Sequence, residues 1–151
     1  MSRARIPKAL RVKVTAQARH RCGYCLTSQE YSGAILEIEH LRPKKLGGTS
    51  VEENLWLACG WCNRYKSFQI GAVDPISRKR VALFNPRRQA WAKHFYWSED
   101  GIHLFGKTAC GRATVVALKL NNGFLVAARR RWVSAGWHPP KDWQNSKTNC
   151  F

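Results

Sequence analysis

The stretch that decides the fold is bounded by two short cysteine pairs, Cys22-Gly23-Tyr24-Cys25 and Cys59-Gly60-Trp61-Cys62. Each is a C-x-x-C knuckle, and four thiolates suit a tetrahedral Zn²⁺ ion. Glycine follows the first cysteine in both pairs, where it permits a tight turn that brings backbone amides towards the sulfurs. A thioredoxin-like redox pair needs one C-x-x-C, whereas two in one small chain read as a metal site. Three disulfides from the six cysteines would need an oxidising compartment. The N-terminus MSRARIPKAL has no apolar core, so no export signal is expected and a reducing, cytoplasmic location is. Cys110 and Cys150 stand apart from the pairs and read as ordinary thiols.

Something is inserted between the two halves of this metal site, in residues 26–58. Residues 34–40 alternate as a strand does, with Ile35, Glu37 and Glu39 on one side and Leu36, Ile38 and His40 on the other. A basic, turn-rich loop follows, through Pro43, Gly47 and Gly48. Residues 54–58 predict a second strand running into the second knuckle, and a short helix is expected to begin at Asn63. Neighbours on a strand point to opposite faces, so Glu39 and His40 can serve one site only at a strand end. Arg42-Pro43 supplies the bend. Asn63 directly follows Cys62, so the zinc fixes its position. A hard divalent cation takes oxygen ligands, and Glu39 and Asn63 offer a carboxylate and an amide oxygen. His40, with a reference pKa of about 6.5, is largely neutral at pH 7 and suited to act as base on a water attacking phosphorus. Taken singly, Glu39 is a solvated charge, His40 a structural histidine, Asn54 a turn residue and Asn63 a helix cap; their register carries the signal.

The string Cys22-x-x-Cys25 … Ile38-Glu39-His40-Leu41-x-Pro43 … Gly47-Gly48 … Glu53-Asn54-Leu55 … Cys59-x-x-Cys62-Asn63-x-x-Lys66 resembles the HNH endonuclease family, in its zinc-bearing standalone branch. The resemblance covers about residues 20–67 and implies a ββα-metal fold. It implies His40 as general base, Glu39 and Asn63 as ligands of a catalytic Mg²⁺ or similar ion, and Asn54 as the residue that stabilises the loop orienting His40. It also implies DNA hydrolysis to a 3′-hydroxyl and a 5′-phosphate. Glu39 and Asn63 replace the more familiar Asp and His, and both keep an oxygen ligand.

The rest of the chain agrees with a nucleic-acid partner. Lys and Arg total 26 against 9 acids, a formal net charge of +17, with 44% hydrophobic residues and 7 Trp to build a core. A compact chain this basic calls for a polyanion, DNA first. No apolar run approaches the roughly 18–20 residues of a membrane span, and no membrane partner is expected. Arg42, Lys44, Lys45, Arg64 and Lys66 flank the site as candidate DNA contacts. The expected architecture is α+β. A basic arm and helix occupy 1–21 and the zinc-stapled ββα-metal core 22–70. Residues 71–137 form a basic loop, a hairpin around 94–97 and 102–105, and two helices, from about 111 to 120 and 124 to 135. A loose tail occupies 138–151. Two rivals remain at this level: a non-catalytic zinc-dependent nucleic-acid-binding module, and a nuclease preferring RNA.

Overall fold

The computed structural model describes residues 5–144. Cys150, the first residues of the basic arm and the end of the expected tail lie outside them. Helix α1 (Lys8–Gln17) follows Pro7, whose φ of −57° suits the approach to a helix. It buries Val14, and Ala18 just beyond its end is also buried. Its outer face is tied down by Glu52, which accepts from Lys13 Nζ at 3.0 Å and Gln17 Nε2 at 2.8 Å.

In the first knuckle, Cys22 N–H donates to Thr27 O and Leu26 N–H to Cys22 O, both at 3.0 Å. The turn is made by Leu26 at φ +60°, not by Gly23. Gly23 is required for another reason: a Cβ there would lie 2.4 Å from Trp56 Cδ1 and 2.8 Å from Pro86 Cβ. Gly60, in the second knuckle, has open space around it. The shared glycine is therefore a packing need in one knuckle and none in the other. Ser28 caps the short α2 (Gln29–Ser32), its side chain accepting from Glu30 N.

Strand β1 (Glu37–His40) pairs antiparallel with β2 (Leu55–Ala58), placing Glu37 opposite Ala58 and His40 opposite Leu55. The strand expected from residue 34 begins only at Glu37, because the pairing with the partner strand starts there; Ile35 is 83% exposed, whereas Leu36 is buried in the core. Helix α3 (Gly60–Lys66) starts before Asn63, since Cys59 is its N-cap and the Cys59 sulfur accepts from Cys62 N at 3.5 Å. These three elements are the ββα unit.

Residues 71–90, expected as loop, contain a hairpin of β3 (Gly71–Val73) and β4 (Arg80–Ala82). Strands this short leave no readable alternation. Asp74 fixes its turn, accepting from Ser77 N at 3.0 Å and from Arg112 Nε and Nη2 at 2.8 and 2.9 Å. After α4 (Trp91–His94), the expected second hairpin forms from β5 (Phe95–Trp97) and β6 (Leu104–Gly106). Helix α5 (Ala109–Ala117) is capped by Thr108, which accepts from Gly111 N at 3.0 Å. Helix α6 (Gly123–Ser134) is capped by Asn122, whose Oδ1 accepts from Phe124 N and Leu125 N at 3.1 Å.

The loose tail expected from residue 138 is corrected for the part described. His138 is buried edge-on against Trp97, with centroids 4.4 Å apart, and Pro140 is buried before α7 (Lys141–Gln144). The aromatic faces of Trp97 and Trp132 provide the apolar surface that the composition of the segment does not announce.

One core joins the halves of the molecule. The four knuckle cysteines and Tyr24 share it with Phe84, Trp91, Phe95, Leu118 and Leu125. Trp91 Nε1 donates to Tyr24 O at 2.8 Å within it. No helix among the described residues is long and apolar enough to cross a membrane.

Candidate metal centre and active site

The Sγ atoms of Cys22, Cys25, Cys59 and Cys62 all lie within 4.8 Å of one another, and all four residues are buried. The Cys25 and Cys59 sulfurs are 3.6 Å apart. Zn–S bonds of about 2.3 Å in a tetrahedron separate sulfurs by about 3.8 Å, so the set suits zinc. Cys110 is outside this cluster and half-buried. Arg129 of α6, fully buried, donates to the carbonyls of Ile102 and Leu120 and stacks over Trp97. Burial pushes its guanidinium below the usual range, and the nearby cysteines pull it back. A zinc ion held by four thiolates would carry a net charge of −2, and Arg129 is a buried cation near those cysteines from outside the ββα unit.

Asn54 closes the loop between β1 and β2 from inside. Its Oδ1 accepts from Arg42 N at 2.8 Å, and its Nδ2 donates to Arg42 O at 3.0 Å and Thr49 O at 2.9 Å. Leu41 N adds a bond to Asn54 O at 2.8 Å. The two glycines are what let the loop close. Gly47 sits at φ +87°, and a Cβ on Gly48 would lie 1.7 Å from Arg42 O. His40 stands at the mouth of this loop, half-buried, with Nε2 2.9 Å from Ser50 Oγ. Sequence reasoning missed Ser50, because a serine in a turn-rich loop carries no signal of its own. Burial first, then the charges of Lys44 and Lys66, hold the His40 imidazole below its ordinary 6.5.

Glu39 faces inward from β1 and is 4% exposed. Lys66 Nζ lies 2.7 Å from Glu39 Oε1, and Tyr24 OH donates to the same oxygen at 3.0 Å. Glu39 Oε2 is buried without a partner. Burial pushes this carboxyl above the usual carboxylate range, and Lys66 and Tyr24 pull it back. Lys66 also donates to Leu41 O at 3.1 Å. Lys66, expected among the DNA-facing cations, is therefore corrected: it is 3% exposed and holds Glu39 and the base of the loop. Arg42, Lys44, Lys45 and Arg64 are exposed.

Asn63 is brought to Glu37 rather than to Glu39: its Nδ2 donates to Glu37 Oε2 at 2.6 Å. Glu37 was not among the expected site residues, although its spacing of two from Glu39 puts both on one face of the strand. Each of Glu39 and Asn63 keeps one oxygen of the kind a divalent cation takes. Glu39 Oε2 is an orphaned anionic oxygen, and an Asn63 amide that gives its nitrogen to Glu37 has its oxygen left to offer.

Residues 22–69 match the family model for HNH endonuclease, and the chain carries an HNH domain there, of the zinc-binding type. At the level of the family this is a domain of nucleases and nucleic-acid binding. No curated protein and no solved structure matches the chain.

Proposed function

We propose that this protein is a metal-dependent endonuclease that hydrolyses DNA phosphodiester bonds, with His40 as general base. The observation that carries this reading is a histidine kept neutral at the mouth of a clamped loop within an HNH domain. His40 takes a proton from water as the water oxygen bonds to phosphorus and the P–O3′ bond breaks, leaving a 5′-phosphate and an O3′ oxyanion that a proton from solvent water converts to the 3′-hydroxyl. Ser50 orients the ring through Nε2, and Asn54 holds the backbone on which His40 sits. Glu39 and Asn63 would hold the catalytic Mg²⁺ or similar ion, with Glu37 fixing which end of the Asn63 amide faces it. Such an ion offsets charge developing on the phosphoryl and leaving oxygens. Arg42, Lys44, Lys45 and Arg64 supply phosphate contacts.

The direct test is supercoiled plasmid incubated with the zinc-loaded protein, with and without added Mg²⁺ or Mn²⁺. Nicked and linear forms are expected only with the added ion. Retention of DNA without cutting under any divalent ion would leave a binding module, and faster cutting of RNA would reassign the substrate.

The acidity of His40 gives a second expected outcome. Its pKa is depressed, so the neutral base persists below 6.5 and is lost only as pH falls through the lowered value. Single-turnover cleavage between about pH 5 and 8 should therefore hold steady past 6.5 and decline beneath it. An acid limb centred above 6.5 would contradict His40 as the base.

A further inference from the structure

Helices α3 and α6 build a row of aromatic rings beside Asn63. Trp61 and Tyr65 are one helical turn apart on α3, with ring centroids 6.1 Å apart and planes 16° apart. Phe124, at the start of α6, continues the row, its ring 5.1 Å from Trp61 at an interplanar angle of 9°. Lys119 Nζ lies 5.0 Å over the Tyr65 ring at the other end. Phe124 is 70% exposed, so it gains little of the burial that would keep a phenylalanine there for stability alone.

The row borders a cavity of about 650 Å³, whose lining includes Ile35, Glu37, Trp61, Asn63, Arg64 and Phe124. That is the size and the mixture of apolar wall and few polar groups typical of a ligand site. The chemistry selects one kind of ligand. Parallel rings offer a stacking face for a flat aromatic group. The Glu37 carboxylate on the lining offers an acceptor for a hydrogen bond in its plane. Arg64 on the lining, Lys119 at the end of the row and the net charge of +17 favour a ligand that carries phosphate. An apolar peptide would use the rings and leave the cations without purpose.

We infer that this cavity is a binding site for an unpaired DNA base, stacked on the Trp61–Phe124 row and followed by a phosphate at Arg64. The inference rests on the nucleic-acid reading of the HNH domain and not on cleavage. It gives the C-terminal extension a role, since Phe124 lies outside residues 22–69. It also makes single-stranded or locally opened DNA the favoured substrate.

The test measures equilibrium binding by fluorescence anisotropy, with zinc-loaded protein, no added Mg²⁺ and no chelator, so a failure of the nuclease reading leaves the result interpretable. The probes are a short oligothymidylate, an abasic oligomer of the same length and charge, and the ribose version of the first. Wild type should prefer the oligothymidylate to the abasic oligomer by roughly 5- to 100-fold, the worth of about one stacked base. Phe124→Ala and Phe124→Leu should remove that preference without altering abasic binding, and Phe124→Tyr should keep it. Circular dichroism and thermal melting establish that the variants are folded. Equal binding of both DNA probes by wild type, or a preference that survives in folded Phe124→Ala, would overturn the inference. A Phe124-dependent preference seen with the ribose oligomer and absent from the DNA would overturn the assignment to DNA.

Discussion

His40→Ala is expected to cut plasmid roughly 10²- to 10⁴-fold more slowly than wild type, the usual worth of a positioned general base. Its affinity for DNA should hardly change. Contacts to phosphate dominate such affinity, and they come from Arg and Lys side chains elsewhere on the surface. The fold should survive, because the loop is clamped by Asn54 and not by the imidazole. Asn63→Ala should also lose cleavage, but through the ion, so raised Mn²⁺ recovers part of its activity and none for His40→Ala. Glu39→Ala is a poorer probe. It leaves Lys66 buried with no counter-charge, and breaking a buried pair in this way costs about 3–5 kcal/mol of stability. Nicking rates and gel-shift affinities on the same folded preparations check all three. A His40→Ala protein that cuts as fast as wild type removes His40 from the role of base.

Cys59→Ala is expected to leave the chain unfolded or aggregated, and removal of zinc from the wild type by a strong chelator should do the same. The four thiols come from both ends of residues 22–62, so an ion held by them closes the whole ββα segment. Apparent zinc-binding free energies of about 10–16 kcal/mol in small zinc domains rival or exceed the entire stability of an ordinary domain, about 5–15 kcal/mol. The damage should reach the C-terminal extension, because Phe84, Trp91 and Leu118 share the core of the knuckles. Arg129 would also lose the anionic centre near it. Far-ultraviolet circular dichroism and metal analysis of the purified variant check this. A soluble, zinc-free Cys59→Ala protein with a cooperative melting transition would show that the core folds without the metal.

The sequence by itself determined the elements whose chemistry is local. The two C-x-x-C pairs point to a zinc site without a structure, because four thiols in two such knuckles supply a tetrahedral set. The caps of α5 and α6, Thr108 and Asn122, are local in this sense, since each acts on amides two or three residues away. The order Glu39, His40, Asn54, Asn63 could be read as a string, although folding put Asn63 inside α3 and not at its start.

What only the tertiary structure decided are the partners, which lie far apart in the chain. Lys66 read as a DNA contact because it flanks the site along with other basic residues; folding turned it inward onto Glu39, 27 positions away. Asn63 met Glu37 because α3 crosses β1 at that level, a fact of packing angle and not of spacing. The hairpin at Asp74 escaped notice because its strands are too short to alternate and its turn is held by Arg112 from α5. His138 looked like the start of a tail until Trp97 and Trp132 gave it somewhere to be buried. Burial of a side chain depends on which surfaces arrive opposite it, and that is settled only when distant segments pack together.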